Sequence, residues 1–243
     1  MRNIYTDEAG TSAPEPVSVV AALVVNQDLH WFPVIRHGGD LGSVHPKQLS
    51  APEQTRVAFH AKHVSDGTKY PGWAEESRRS LLRSMMAIPG EFEIPVSFAA
   101  VKRGAFDWSG WPEKHKRQMT PAKSDHMSAF TACIGTANNF IKSEYKDELA
   151  QIIADDNGEM REILRTALND LQGRPFPVDV QESVGDNREL KTRTEILRAD
   201  RIIDEVCFLT PRNAPFLQLL RHPRIGAQDR KSLKAFNSFM VDS

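Results

Sequence analysis

Cysteine is scarce: Cys133 and Cys207 are the only two, far apart and each in apolar surroundings. That excludes a disulfide framework and any zinc site with paired-cysteine spacing. Cys133 falls in a helical pattern and Cys207 in a strand-like one, so both read as buried free thiols suited to a reducing cytosol. No run of about 18 apolar residues occurs and the first residues carry no apolar signal core, so neither a membrane span nor export is expected. Net charge is nearly absent as well. Lys and Arg number 31 against 32 Asp and Glu, giving −1 and a pI near 6.7. Nucleic-acid binding, if any, must come from a local basic patch rather than from the field of the whole chain. A glycine-rich P-loop, a Gly-x-Ser-x-Gly elbow, internal repeats and low-complexity tracts are missing too. What remains is the composition of an ordinary soluble protein, 243 residues with 40% apolar and 26% charged, enough for a full core in one large or two small domains.

The most informative stretch is Asn3-Ile4-Tyr5-Thr6-Asp7-Glu8-Ala9-Gly10-Thr11. Ile4, Tyr5 and Thr6 favour a strand over residues 2–6, which ends on two adjacent carboxylates before Gly10 lets the chain turn. Successive side chains in a strand face opposite ways, so at most one of Asp7 and Glu8 heads a given cluster, and Asp7 is the better candidate. Taken locally, the same residues describe a surface turn with two solvated acids.

A second acidic end of the same form shifts that balance. Leu149-Ala150-Gln151-Ile152-Ile153-Ala154 runs apolar and then ends on Asp155-Asp156-Asn157-Gly158. Met160, Ile163, Leu164, Ala167, Leu168 and Leu171 follow at helical spacing on one face. In open α/β sheets ligands collect outside the carboxyl ends of strands, so acids at two such ends can converge across a long sequence distance. Two carboxylates about 4 Å apart repel by roughly 4 kcal/mol at an effective dielectric near 20, so such a cluster stays partly protonated or holds a cation. Mg²⁺ or Mn²⁺, hard ions that take oxygen ligands, suit it. A two-carboxylate glycosidase would use the same residue type.

The rest of the chain alternates. Residues 17–26, a nearly continuous apolar run after Pro14 and Pro16, predict a buried strand antiparallel to the first. Helices are expected over 52–59 and 73–87, the second stopped by Pro89-Gly90, with a strand over 94–101. Ser124 is expected to cap a helix whose Met127, Phe130, Ile134, Ala137 and Ile141 recur every three or four residues. Strand 152–154, helix 159–171 and strand 202–209 close the pattern, and 173–193 carries no decisive signal. Strands alternating with helices argue an α/β architecture.

The order of these pieces resembles a known family. An opening strand ending Asp7-Glu8-Ala9-Gly10, Phe59-His60-Ala61 followed by Gly67, a strand ending Ile153-Ala154-Asp155-Asp156, and Ile203-Asp204-Glu205-Val206-Cys207-Phe208 before Leu217-Gln218-Leu219 are similar to the bacterial and phage family catalogued as domain of unknown function 3800. The resemblance runs from Tyr5 to about Leu219. It implies one ribonuclease-H-like domain over residues 1–243, a mixed sheet with flanking helices and helical insertions, acting as a metal-dependent phosphodiester nuclease on RNA or DNA. It implies Asp7 as the first-strand acid and Asp155 or Asp156 as the central one; Glu8, next to Asp7, is a further candidate metal ligand from the residues themselves. One departure stands out. Where the family continues Gln-Leu-Ala-Asp, this chain reads Gln218-Leu219-Leu220-Arg221-His222-Pro223, without the final acid and with a proline that limits the helix to about one turn. Asp204 is a possible substitute. The alternative function is therefore a non-catalytic binding or partner protein of the same fold, in a phage-defence or mobile-element setting.

Other residues compete for roles. His60 and Lys62 lie in the stretch that matches the family, and His60 could position substrate or move a proton near neutral pH, with His63 beside it. Each could equally be a surface or packing residue. Lys102-Arg103, Trp108, Trp111 and Lys114-His115-Lys116-Arg117 interleave bases with aromatics, so Lys114, Lys116 and Arg117 are candidate contacts to nucleic acid. His37, between Arg36 and Gly38-Gly39, is expected in a loop.

Overall fold

The computed structural model describes residues 1–10, 15–44, 61–67, 72–104, 119–155, 158, 160–184, 189–209 and 239–241. In chain order the elements are β1 (Arg2–Ala9), β2 (Val17–Asn26), α1 (Gln27–Val44), α2 (Ala61–Asp66), α3 (Glu75–Glu91), β3 (Val96–Lys102), α4 (Pro121–Glu144), β4 (Ala150–Asp155), α5 (Arg161–Gly173), β5 (Phe176–Val184), β6 (Glu189–Leu197), β7 (Ile202–Leu209) and β8 (Phe239–Val241). Among the described residues six strands form one sheet in the order β7-β4-β1-β2-β3-β8, while β5 and β6 pair only with each other. β2 runs antiparallel to β1 and β3, whereas β4 is parallel to β1, β7 to β4 and β8 to β3. The chain is thus α/β, with a mixed sheet and flanking helices.

Both faces of the sheet are covered, which explains the unbroken apolar run in β2. Its Val20, Ala22 and Val24 join a core with Ile4 and Ile152 under α4 and α5, while Leu23 and Val25 join Tyr5, Ile153, Val34 of α1 and Ile88 of α3 on the other side. The stripe expected in α4 is buried in full at Met127, Phe130, Ile134, Ala137 and Ile141. So are Met160, Leu164, Ala167, Leu168 and Leu171 of the α5 pattern, although the helix begins at Arg161 rather than at 159.

Several local expectations need correction. The cap of α4 is Thr120, whose hydroxyl accepts from the Lys123 N–H at 3.3 Å, and not Ser124, whose hydroxyl donates to the Pro121 carbonyl at 2.7 Å. Pro121 at the first helical position, with φ preset and no amide to satisfy, moves the start forward. α3 runs through the expected Pro89-Gly90 stop and closes where Phe92 N–H reaches the Ile88 carbonyl at 3.0 Å. Glu93, at φ 52°, then turns the chain toward β3. His37 lies in α1 and not in a loop; its Nε2 is 3.3 Å from Glu91 and its ring meets the edge of Phe92. Pro33 and the glycines after His37 had disguised that helix. The undecided 173–193 region contributes to the β5–β6 hairpin. The helix expected over 52–59 lies outside the described residues.

A candidate metal centre at the ends of two central strands

β1 lies inside the sheet, between β2 and β4. Its parallel register with β4 runs from Arg2 opposite Ala150 to Thr6 opposite Ala154. One residue further along both strands stand Asp7 and Asp155. Tyr5 and Ile153, two residues back, share one apolar core. The two-residue period of a strand therefore sends Asp7 and Asp155 to that same face, on neighbouring strands about 4.8 Å apart. The acids belong to the strands themselves, β1 extending to Ala9 and not stopping at Thr6 as expected.

Their environments differ. Asp7 is buried, with 7% of its surface exposed, and its Oδ1 accepts from the Glu8 N–H at 2.9 Å. Asp155 is half-buried and pairs with Leu209 on the far side of β4. The antiparallel ladder of β1 with β2 continues to Ala9 opposite Val19, whereas the parallel ladder with β4 ends at Thr6. In the sheet the last residues of β1 are thus laddered to β2 and lie beside the end of β4, the kind of place where open sheets gather ligands. Gly10 ends the run at φ +77°, and a Cβ there would come 1.8 Å from the Val17 carbonyl oxygen, so this turn requires glycine.

Alternation places Glu8 on the face of Ile4 and Thr6, away from Asp7, so the structure does not bring it to the Asp7–Asp155 face. Asp156, His60, Lys114, Lys116 and Arg117 lie outside the described residues, as do Trp108 and Trp111. Lys62 and His63 belong to α2, and Asp204 to β7, but their side chains fall outside the description. Among the described residues no three His, Cys, Asp or Glu side chains converge. The two strand-end acids nevertheless suit a hard cation, since Mg²⁺ commonly takes one or two carboxylates and completes its shell with water and substrate phosphate.

Two features escaped the sequence reading. Arg103, expected among phosphate-contacting bases, turns inward: Nη2 donates to the Gly10 carbonyl at 2.7 Å, Nε to the Glu15 carbonyl at 3.3 Å, and Nη1 lies 3.5 Å from Oδ2 of the buried Asp125. Beside Asp125, His126 is buried with no hydrogen-bond partner for Nδ1 among the described residues, and burial pushes its pKa down to about 4. The available signal was the polar pair Asp125-His126 set directly before the apolar stripe that starts at Met127.

No family model, curated protein or solved structure matches this chain. Among the described residues no helix is long and apolar enough to cross a membrane.

Proposed function

We propose that this chain is a divalent-metal-dependent phosphodiester nuclease with a ribonuclease-H-like core, related to the domain of unknown function 3800 family. The observation that carries the reading is the β1–β4 register, which ends with Thr6 opposite Ala154, so that Asp7 and Asp155 follow next on neighbouring parallel strands, at their carboxyl ends and on one face by alternation. The sheet order supports it, because a three-strand antiparallel meander extended by parallel strands beside β1 puts the acid-bearing strands next to each other inside the sheet.

In this reading Asp7 and Asp155 act as ligands and not as general bases. Mg²⁺ or Mn²⁺ held there would supply the positive charge that acidifies a water and stabilises oxygens on phosphorus. Asp7, buried and with Oδ1 oriented by the Glu8 amide, presents a fixed donor, while the more open Asp155 leaves room for a phosphate. The test is cleavage of labelled RNA and DNA with Mn²⁺, against a chelator control. Asp7→Asn abolishes cleavage while the circular dichroism spectrum stays unchanged; full activity in that variant removes Asp7 from the site.

The missing acid at Leu219-Leu220-Arg221 favours a second reading, a non-catalytic nucleic-acid-binding or partner protein. Mn²⁺ titration of the melting temperature separates the two, since binding to the native state alone adds about 2.7 kcal/mol at a hundredfold excess over Kd. Absence of any shift favours the second reading.

A further inference from the structure

Arg103 sits just past β3, yet its guanidinium reaches three other segments, one with each nitrogen. Nη2 takes the carbonyl of Gly10, immediately after β1, and Nε takes the carbonyl of Glu15, just before β2. Nη1 faces Asp125 on the second turn of α4, whose carboxylate also lies 3.4 Å from the Gly104 N–H. The Arg103 backbone adds a fourth tie, its N–H donating to the Pro16 carbonyl at 2.8 Å. One planar group thus grips both ends of the β1–β2 connection and is itself anchored on a carboxylate that is 1% exposed. Lysine, with a single ammonium, cannot span three acceptors in one plane.

The grip falls where β1 needs it. Beyond Thr6 the parallel ladder to β4 has ended, and in the sheet the backbone from Asp7 to Ala9 is paired with β2. Gly10 is three residues past Asp7, and its geometry admits no side chain. Building on the metal-site reading above, we propose that Arg103, anchored on Asp125, is a positioning residue that fixes the stretch of β1 beyond its ladder with β4 and thereby the carboxylate of Asp7.

The test uses the full chain with Arg103→Met, Arg103→Lys and Asp125→Asn, and with Arg79→Met, on an exposed ion pair with Glu75, as the control. Two readouts are taken at a temperature where every variant is folded: hydrogen exchange across residues 7–10, and Kd for Mn²⁺ by titration calorimetry. Arg103→Met speeds exchange in residues 7–10 at least tenfold while leaving 150–155 unchanged, and weakens Mn²⁺ binding about tenfold or more, as lost outer support of a metal ligand does. Arg103→Lys recovers only part of both, and Asp125→Asn follows Arg103→Met in direction. A lowered melting temperature with unaltered local exchange overturns the clamp. Faster exchange with unaltered Mn²⁺ affinity overturns its link to Asp7. No Mn²⁺ binding by the unmodified chain overturns the metal-site reading and the positioning role together, while the exchange data still decide whether Arg103 holds the connection.

Discussion

Leu197, the last residue of β6, rests directly on the backbone of Gly135 in the middle of α4: a Cβ added to that glycine would lie 2.7 Å from the Leu197 Cβ. Leu197 is fully buried there, so this contact fastens the β5–β6 hairpin to the rest of the fold. Gly135→Ala gains up to about 1 kcal/mol in helix propensity but meets this contact, and overpacking costs about 1–3 kcal/mol. A net loss of stability in urea unfolding is expected. Pairing the change with Leu197→Ala should show coupling in a double-mutant cycle, and simple additivity would mean the two residues do not touch.

Of the two neighbouring acids on β1, one lies on the same face of the sheet as Asp155 and the other on the opposite face. On the proposed metal site, Glu8→Gln should therefore leave Mn²⁺ affinity within about twofold, whereas Asp155→Asn should weaken it at least tenfold, the cost of a lost charged ligand being several times RT. Calorimetric titration of the three proteins checks this. Equal effects from both substitutions would contradict the face assignment.

His126 makes stability depend on acidity. Its pKa falls from 6.5 to about 4 because burial disfavours the charged ring. Above pH 6.5 the ring is neutral in both folded and unfolded chains and contributes no pH dependence. Below that value the unfolded chain takes up a proton that the folded chain refuses, so stability declines as pH drops toward about 4, by up to roughly 3 kcal/mol in total. Urea unfolding at pH 7 and pH 5 should show a decline that shrinks by about 2 kcal/mol in His126→Gln. An equal decline in that variant would show that the ring is not held neutral.

Cys133 is shut away. Its thiol donates to the Ser97 carbonyl at 3.5 Å, and burial pushes its pKa up to about 12. At pH 8 it should resist a thiol reagent in the native protein and react only in denaturant. Peptide mapping after labelling distinguishes it from Cys207, which is half-buried and accepts a hydrogen bond from Gln151 at 2.7 Å.

The elements that could be read from sequence were those whose burial writes a pattern. β2 is apolar on both faces because both are covered, β7 closes at the residues where its run ends, and the α4 and α5 stripes point at the sheet. α1 was hidden because Pro33 and its glycines speak against a helix that packing imposes anyway. The β5–β6 hairpin was hidden because the alternation of Phe176, Val178 and Val180 is short and contains Pro177, and the facing strand is mostly polar and charged from Lys191 to Glu195. Asp7 and Asp155 could be singled out because each ends an apolar run, but their common face depends on a register that neither segment encodes alone. Arg103 reads as one more surface base, since the carbonyls it binds belong to other parts of the chain.

The pairing of Arg2 with Ala150 joins segments separated by well over half of the polypeptide. Closing so large a loop is entropically costly before it is rewarded, so this ladder belongs to the slow, late part of folding. Ribosome-bound chains that have not yet produced β4 hold only one of the two acids. On the proposed metal site, cation-dependent chemistry must await synthesis beyond Asp155, and a shorter amino-terminal fragment, even one that folds its meander, would remain inert.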